Sequence, residues 1–145
     1  VASAPPPPTA SPLPVAAAPP PQAAEQVAAQ PPPPTGSAKV IIQWVNYDGE
    51  VYRVESDEFA VIANVGNASI NIGGWLLNAG DNGQNFTFPN VELAAGQSVR
   101  VYTNEHHAES GGFSFGIGKA IWNNSDGDCG FLYDNAGQQV SQYCY

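Results

Sequence analysis

The sequence predicts an all-β domain, either a sandwich or a barrel, that follows a long proline-rich segment. Residues 1–38 hold 13 of the 14 prolines, a single charged residue (Glu25) and no aromatic residue, so they cannot supply a hydrophobic core. After Gly36 and Ser37, short apolar runs alternate with turns rich in Gly, Asn and Asp, and almost nothing repeats at helical spacing. We therefore divide the chain into a proline-rich segment, residues 1–38, and one domain, residues 39–145.

The proline-rich segment contains three proline clusters, at residues 5–8, 19–21 and 31–34, separated by alanine-rich spacers. Proline fixes φ and removes an amide donor, so such clusters favour an extended polyproline II conformation. Two roles are open for the segment. It is either a spacer that holds the domain away from a surface or an arm that docks on a partner.

Eight strands are predicted in the domain from apolar and β-branched runs bounded by turn residues. The first strand places Ile42 and Trp44 on one face and Ile41 and Val45 on the other, so we expect it to be a central strand. The predicted strands cover residues 39–47, 59–65, 69–77, 85–88, 98–103, 120–122, 129–133 and 138–143.

Three tryptophans, Trp44, Trp75 and Trp122, are predicted core anchors. Gly73 and Gly74 precede Trp75, which suits a bend where the backbone must clear an indole ring. A sandwich this small needs its large aromatic side chains inside. The alternative is a carbohydrate platform of exposed rings, and the tyrosines near the C-terminus are candidates for a contact surface.

Charge and hydropathy exclude two classes of partner. The chain carries 4 basic and 13 acidic residues, a formal net charge of −9, and without Glu25 the domain has −8. Such a surface repels polyphosphate, and the basic residues are scattered, so we do not expect the domain to bind nucleic acid. No run of 18 or more apolar residues occurs, so we expect no membrane span.

Cys129 and Cys144 are predicted to form one disulfide. Residues 129–143 are typical of a hairpin that turns at residues 134–137, with Gly137 in a left-handed position. When the chain folds back at this turn, the two cysteines come to lie at nearly the same height on the two strands. Two thiols alone make a poor zinc site, whereas one disulfide suits an oxidising compartment. The chain also begins with Val1 rather than Met, as after removal of a leader. We therefore expect a secreted, extracellular or cell-surface protein.

Four blocks of the domain carry a family resemblance. They are DEFAVIANVG at residues 57–66, IGGWLL at 72–77, FTFP at 86–89 with LAAGQSVRVY at 93–102, and IWNN at 121–124 followed by GD at 127–128, LYD at 132–134 and Gly137. In this order they resemble the lamin-tail domain family of nuclear lamins and many exported bacterial proteins.

The resemblance implies an immunoglobulin-like β-sandwich without catalytic residues, whose role is recognition or scaffolding. It covers roughly residues 40–145. The chain departs from the family at Val61, where the family commonly has Glu, and the two cysteines are not family hallmarks.

Catalysis is not expected from the residue pattern. The two histidines, His106 and His107, are adjacent, and neighbouring side chains on a strand point to opposite faces. Together with Glu105 they form three consecutive residues, which seldom converge on one metal ion, so we favour a solvated loop. We predict a non-enzyme without a required cofactor.

Two weaker site predictions remain. Asp126 and Asp128, or Asp81 beside Asn82, could hold Ca²⁺ in glycine-rich loops, although the same residues are common in turns and do not follow EF-hand spacing. Glycosylation is the second prediction, because three Asn-x-Ser/Thr triplets begin at Asn67, Asn85 and Asn123.

Two hypotheses for function follow. The first is an extracellular structural module that self-assembles into a surface layer or filament, its proline-rich segment docking on neighbouring copies or on cell-surface components. The second is an accessory ligand-binding domain associated with a secreted hydrolase or nuclease.

Overall fold

The structure, a computed structural model, describes residues 36–145. The predicted polyproline II conformation concerns residues 1–35, which lie outside this range. Two 3₁₀ turns cover Glu55–Asp57 and Ala108–Ser110. The strands are β1 (Val40–Asn46), β2 (Phe59–Asn64), β3 (Ile70–Asn71), β4 (Leu76–Asn78), β5 (Asn85–Thr87), β6 (Glu92–Leu93), β7 (Ser98–Tyr102), β8 (Gly112–Ser114), β9 (Cys129–Tyr133) and β10 (Gln139–Cys144).

Two four-stranded sheets form a sandwich. The first sheet has the strand order β1-β2-β7-β8 and the second has β10-β9-β4-β5, while β3 and β6 pair as a small third sheet. The pairing of β7 with β8 is parallel, and the other strand pairs are antiparallel. The predicted class, an all-β immunoglobulin-like sandwich, is confirmed. Within residues 36–145, no helix has the length and hydropathy needed to cross a membrane.

The core fills the space between the two sheets. Ile62 and Val101 enter it from the first sheet, and Leu77 and Leu132 enter it from the second, each with no measurable exposure. Burial of each such aliphatic side chain contributes about 1.5–3 kcal/mol. This packing holds the sheets together.

Trp75 and Trp122 lie in this core, with 8% and 1% of their surface exposed. Gly130 on β9 faces Trp122, and a Cβ atom there would lie 3.2 Å from Cη2 of the indole. The absence of a side chain at Gly130 therefore lets the ring lie against the sheet. The strand predicted at residues 120–122 does not form, so Trp122 reaches the core from a loop.

Strand β1 differs from the prediction in both place and register. It is an edge strand, because the unbroken run Phe59–Asn64, in which all six residues are buried, takes the neighbouring interior position. A register shift between Ile42 and Trp44 directs Ile42 and Val45 into the core but turns Trp44 to the outer face, where it is 39% exposed. The prediction of Trp44 as a core anchor is therefore wrong, because the bulge interrupts the alternation on which it relied.

The strand predicted at residues 69–77 is divided in two. Gly74 has φ +81°, a left-handed conformation that lets the chain turn between β3 and β4, which lie in different sheets. Strands β6 and β8 were not predicted, since they are two and three residues long.

Asn64 joins three segments at one end of the sandwich. It has no measurable exposure, and its Nδ2 donates to the carbonyls of Ala68, Leu93 and Ala94 at 2.8, 3.1 and 3.2 Å. Its Oδ1 accepts from the backbone N–H of Lys39 at 3.2 Å. A buried amide with its hydrogen bonds satisfied stabilises the place where the chain enters the domain.

The C-terminal hairpin agrees with its prediction. Asp134 Oδ1 accepts from the backbone N–H groups of Ala136 and Gln138, both at 2.9 Å, and Gly137 has φ +79°. Cys129 and Cys144 pair directly across β9 and β10, and the structure joins them in a disulfide with Cα atoms 4.1 Å apart.

Candidate functional site

The outer face of the first sheet, directed away from the core, is also apolar. Phe59, Val61 and Tyr102 form a second buried cluster there, with 0%, 6% and 1% of their surface exposed. The strand register places Phe59 opposite Tyr102 and places Val61 between Trp44 and Arg100. The outer face of an antiparallel sheet is usually polar, so these apolar side chains need a cover.

Trp44 and Arg100 supply part of that cover. The Arg100 guanidinium lies 4.3 Å from the centre of the Phe59 ring, and Trp44 meets the same ring edge-on at 5.3 Å. Arg100 also donates to Glu50 Oε1 at 3.1 Å. Val61 lies next to Arg100 in the strand register, and the acidic partner of Arg100 is Glu50, which comes from a loop.

The loop of residues 48–54 presents two large apolar side chains to solvent. Val51 is 57% exposed and Tyr52 is 82% exposed. Asp57, 3% exposed, anchors the loop, because its Oδ2 accepts from the backbone N–H groups of Glu50 at 2.9 Å and Val51 at 2.7 Å. Arg53 has φ +64°, which is uncommon for a residue with a side chain. The two bonds to Asp57 position the backbone before Tyr52, whose side chain extends into solvent.

We refer to four residues, Trp44, Val51, Tyr52 and Arg100, as the Trp44 face. The Tyr52 ring itself lies against Arg53, whose guanidinium is 4.9 Å from the ring centre. Arg100 connects the parts of the Trp44 face, because it covers Phe59 beside Trp44 and pairs with Glu50 beside Val51. Trp, Tyr and Arg are the side chains that most often dominate binding energy at protein interfaces. The sequence did not predict this surface, since neither the β1 bulge nor the loop conformation has a sequence signal.

The Trp44 face and the entry of the proline-rich segment lie toward opposite ends of the β1–β2 pair. Ser37 donates its backbone N–H to Asn67 Oδ1 at 2.9 Å, at the end where β1 begins. The exposed loop follows the other end of β1, and 7 strand residues lie between them. At about 3.3 Å per residue the two ends are about 20 Å apart.

His107 lies in the connection from β7 to β8. Its ring nitrogens contact Glu105 at 2.7 Å and Glu109 at 3.0 Å. These two carboxylates raise the pKa of His107, with the hydrogen bond to Glu105 as the largest cause. Both ring nitrogens of His107 therefore have carboxylate partners.

Glu58 is a buried acid next to the first sheet. It has no measurable exposure, and its Oε2 accepts from Thr103 Oγ1 at 2.9 Å. Burial, with a smaller contribution from Glu55, raises the pKa of Glu58 to about 8. The Oε1 atom has no hydrogen-bond partner within the described part of the chain. Burial therefore favours the protonated form of Glu58 near neutral pH.

The residues predicted to bind Ca²⁺ lie near one another. Asp81 and Asp128 line one depression together with Glu55, and Asp126 and Asp128 line a neighbouring one. Asp128 Oδ1 accepts from the backbone N–H of Cys129 at 2.7 Å. In the described range, no group of three or more His, Cys, Asp or Glu side chains has an arrangement suited to a metal ion. Calcium binding stays a prediction.

The predicted glycosylation sites are all exposed. The side chain of Asn67 bonds to Ser37, that of Asn85 accepts from Asn78 at 2.9 Å, and that of Asn123 accepts from the backbone of Ser125 at 2.9 Å. Glycosylation itself stays a prediction.

The tyrosines near the C-terminus are half-buried. Tyr145 stacks on Tyr47 with ring centres 4.4 Å apart and donates its hydroxyl to the carbonyl of Asn123 at 3.2 Å. Tyr133 and Tyr143 are likewise half-buried on β9 and β10. Tyr52, at 82%, is far more exposed than any of them.

One serine has the Gly-x-Ser-x-Gly spacing of a nucleophile elbow, at residues 112–116. In the structure Ser114 ends the edge strand β8, and its hydroxyl accepts from the backbone N–H of Gly116 at 3.0 Å. A nucleophile elbow needs a strand-to-helix turn and a histidine base, but no helix follows β8 and the nitrogens of His107 are bonded to glutamates. Residues 112–116 therefore match the motif in spacing but lack its catalytic geometry.

A comparison with protein families decides the assignment of this sandwich. The family model described as Lamin Tail Domain matches residues 33–145. The chain belongs to the lamin tail domain family. The family consists of immunoglobulin-like interaction and structural domains without catalytic activity. No curated protein gives a significant match to the chain.

Proposed function

We propose that this chain is a non-enzymatic extracellular structural module that assembles head to tail, with the proline-rich segment of one copy docking on the lamin tail domain of the next. One observation carries the proposal. The proline-rich segment joins the domain at one end of β1, and an exposed aromatic tip lies beyond the other end, about 20 Å away. A donor and an acceptor at opposite ends of a molecule make a heterologous contact that propagates as an open chain.

Charge favours the proline-rich segment over direct contact between domains. Two lamin tail domains with a formal charge of −8 each repel one another, whereas the proline-rich segment carries Glu25 as its single charge. Its prolines also suit docking, since a pre-extended chain loses less conformational entropy on binding than a flexible one. The disulfide fits an extracellular location, where oxidising conditions preserve it.

Sedimentation velocity and light scattering of the full chain test the proposal. We expect elongated oligomers whose mass rises with protein concentration, and a monomer when the prolines of all three clusters are replaced by serine. Equal monomer mass for both chains at the highest soluble concentration would contradict self-assembly. It would favour the alternative, an accessory ligand-binding domain beside a secreted hydrolase or nuclease.

A chain that begins at Gly36 provides the matched control. It keeps Ser37 and its bond to Asn67, so we expect a folded monomer with the circular dichroism of a β-sandwich.

A further inference from the structure

We infer that Glu55 and Glu58 form a pH-sensitive latch, in which one shared proton holds the 3₁₀ turn Glu55–Asp57 in place beside the first sheet and loss of that proton releases the turn. The loop of residues 48–54 opens with the turn, because Asp57 anchors the backbone of that loop. The latch lies within the domain and does not depend on the proline-rich segment.

The two carboxyl groups of the latch lie close together. Glu55 begins the 3₁₀ turn and Glu58 directly follows it, and side chains three residues apart in such a turn lie one above the other. A hydrogen bond joins the two carboxyl groups. Ionised carboxylates are acceptors only, so this bond requires a proton on one of the two groups.

The proton belongs to Glu58. This side chain has no measurable exposure, whereas Glu55 is half-buried, and burial disfavours the charged form of an acid. Its Oε2 atom accepts from Thr103 Oγ1 at 2.9 Å and from the backbone N–H of Ile121 at 3.4 Å. Its Oε1 atom accepts no hydrogen bond from residues 36–145, which suits an oxygen that carries the proton and donates it to Glu55. Burial, followed by the bond to Glu55, raises the pKa of Glu58 to about 8.

The surroundings of Glu58 do not compensate a negative charge. Glu58 takes part in none of the ion pairs that the described residues form, and the two donors to its Oε2 atom are neutral. Burial, and then the charges of Asp128 and Glu58, raise the pKa of Tyr145, so this phenol is a neutral neighbour. On the flank of the turn, Ser56 donates its hydroxyl to Glu105 Oε1 at 2.8 Å, which adds another acid.

The surroundings of Glu55 are mainly acidic as well. Glu55 lines two depressions whose charged residues are Asp48, Glu50, Arg53, Asp81 and Asp128. Arg53 is the one cation in this set, and its guanidinium lies over the Tyr52 ring rather than in an ion pair with Glu55. A second negative charge on Glu58 therefore repels Glu55, and this repulsion favours release of the turn.

Opening of the turn is linked to the release of one proton. When the turn opens, Glu58 meets water, in which its ordinary pKa is 4.5, whereas the closed state keeps the proton up to about pH 8. Between these two values the equilibrium constant for opening should rise about tenfold for each pH unit, and outside them it should stay constant. Acidic solution therefore closes the latch, and alkaline solution opens it.

Release of the turn changes the outer face of the first sheet. Asp57 Oδ2 accepts from the backbone N–H groups of Glu50 and Val51, and Glu50 in turn pairs with Arg100. Arg100 covers the buried ring of Phe59. The latch therefore makes the cover of this face, and the position of the exposed loop beside it, depend on pH.

The amides of Glu50 and Val51 report on the latch directly, because both donate to Asp57. Hydrogen exchange of the full chain is followed by NMR from pH 5.5 to pH 7.5, and each rate is divided by the intrinsic rate at that pH. We expect the protection of both amides to fall about a hundredfold over these two units. Dilute urea should leave their exchange unchanged, since local opening exposes little surface.

Two variants of the latch and one control sharpen the test. Glu58→Gln keeps the shape of the protonated carboxyl and can donate to Glu55, so protection should no longer depend on pH. Glu55→Gln removes the neighbouring charge and should lower the pKa of Glu58, measured by ¹³C NMR of its carboxyl, by at least about one unit. It remains informative if Glu58→Gln does not fold. The control, Glu92→Gln, changes an exposed glutamate on β6 and should behave like the parent chain.

Four results would each overturn the latch. The first is a Glu58 carboxyl that titrates near its ordinary pKa, and the second is protection of Glu50 and Val51 that stays constant with pH in the parent chain. In the third, Glu58→Gln retains the tenfold slope, so another group controls the loop. In the fourth, dilute urea accelerates these two amides as much as amides of the core, which means that they exchange only when the whole domain unfolds.

Discussion

The two sheets of the sandwich reach their stability by different routes. In the first sheet the central strand β2 is buried along its whole length, because the core covers one side and Trp44, Arg100 and the loop of residues 48–54 cover the other. In the second sheet β9 alternates between buried and half-buried residues, and four of the six residues of edge strand β10, which carries one cysteine of the disulfide, are exposed.

This difference shows how a small domain compensates for a thin core. A sheet that buries both faces is held by packing, whereas a sheet that buries one face gains less hydrophobic stabilisation and here carries the covalent link. The predictions below test this contrast, from the largest expected effect to the smallest.

The first prediction compares one phenylalanine on the outer face of each sheet. Phe59→Ala should lower the free energy of unfolding by about 3–5 kcal/mol, since Phe59 has no measurable exposure. Phe131→Ala on β9, where the ring is half-buried, should cost about 1 kcal/mol. Urea denaturation of both variants measures the difference. Equal losses would mean that the two outer faces are covered equally well.

The second prediction concerns the covalent link of the second sheet. Replacing Cys129 and Cys144 together by serine should lower the free energy of unfolding by about 3 kcal/mol, the expected cost of releasing a loop of 15 residues. Intact mass after alkylation without reductant checks the bond itself, and we expect no alkylated thiol in the parent chain. A double variant as stable as the parent would show that packing alone holds the second sheet.

The third prediction uses the buried acid beside the first sheet. Because the folded protein raises the pKa of Glu58 to about 8, well above the ordinary value of 4.5, it binds more protons than the unfolded chain between these values. Stability should therefore fall as pH rises from about 5 to about 8. Glu58→Gln keeps the shape of the protonated carboxyl and should remove this fall. If the stability of both proteins changes with pH in the same way, Glu58 is ionised in the folded protein and the prediction is wrong.

The smallest expected effect lies in the exposed connection between β7 and β8. The glutamates raise the pKa of His107, so its contribution to stability is present below the ordinary histidine pKa and is lost as pH rises through the folded value. His107→Ala should flatten the weak dependence of stability on pH in that window, with His106→Ala as the control. NMR titration of His107 provides the direct measurement, and a pKa of His107 at the ordinary histidine value would contradict the prediction.

Much of the fold follows from local sequence. Three features were predictable because turn chemistry and hydrophobic runs act over a few residues. They are the buried strand Phe59–Asn64, the hairpin turn at residues 134–137 and the pairing of Cys129 with Cys144 across that hairpin. The family blocks predicted the sandwich for the same reason, since they retain these local signals in order.

Tertiary structure decided three other features, namely the orientation of Trp44, the conformation of the loop of residues 48–54 and the burial of Glu58. A bulge of one residue in β1 reverses the face of every later side chain, and no sequence pattern fixes where it falls. Tyr52 is outward because Asp57, five residues later, binds the backbone before it. Burial raises the pKa of Glu58, although Thr103 and Ile121, from distant parts of the chain, donate hydrogen bonds that act in the opposite direction. The sequence alone determined which residues form strands and turns, whereas the surface proposed to bind a partner depends on contacts that exist only when the two sheets have packed.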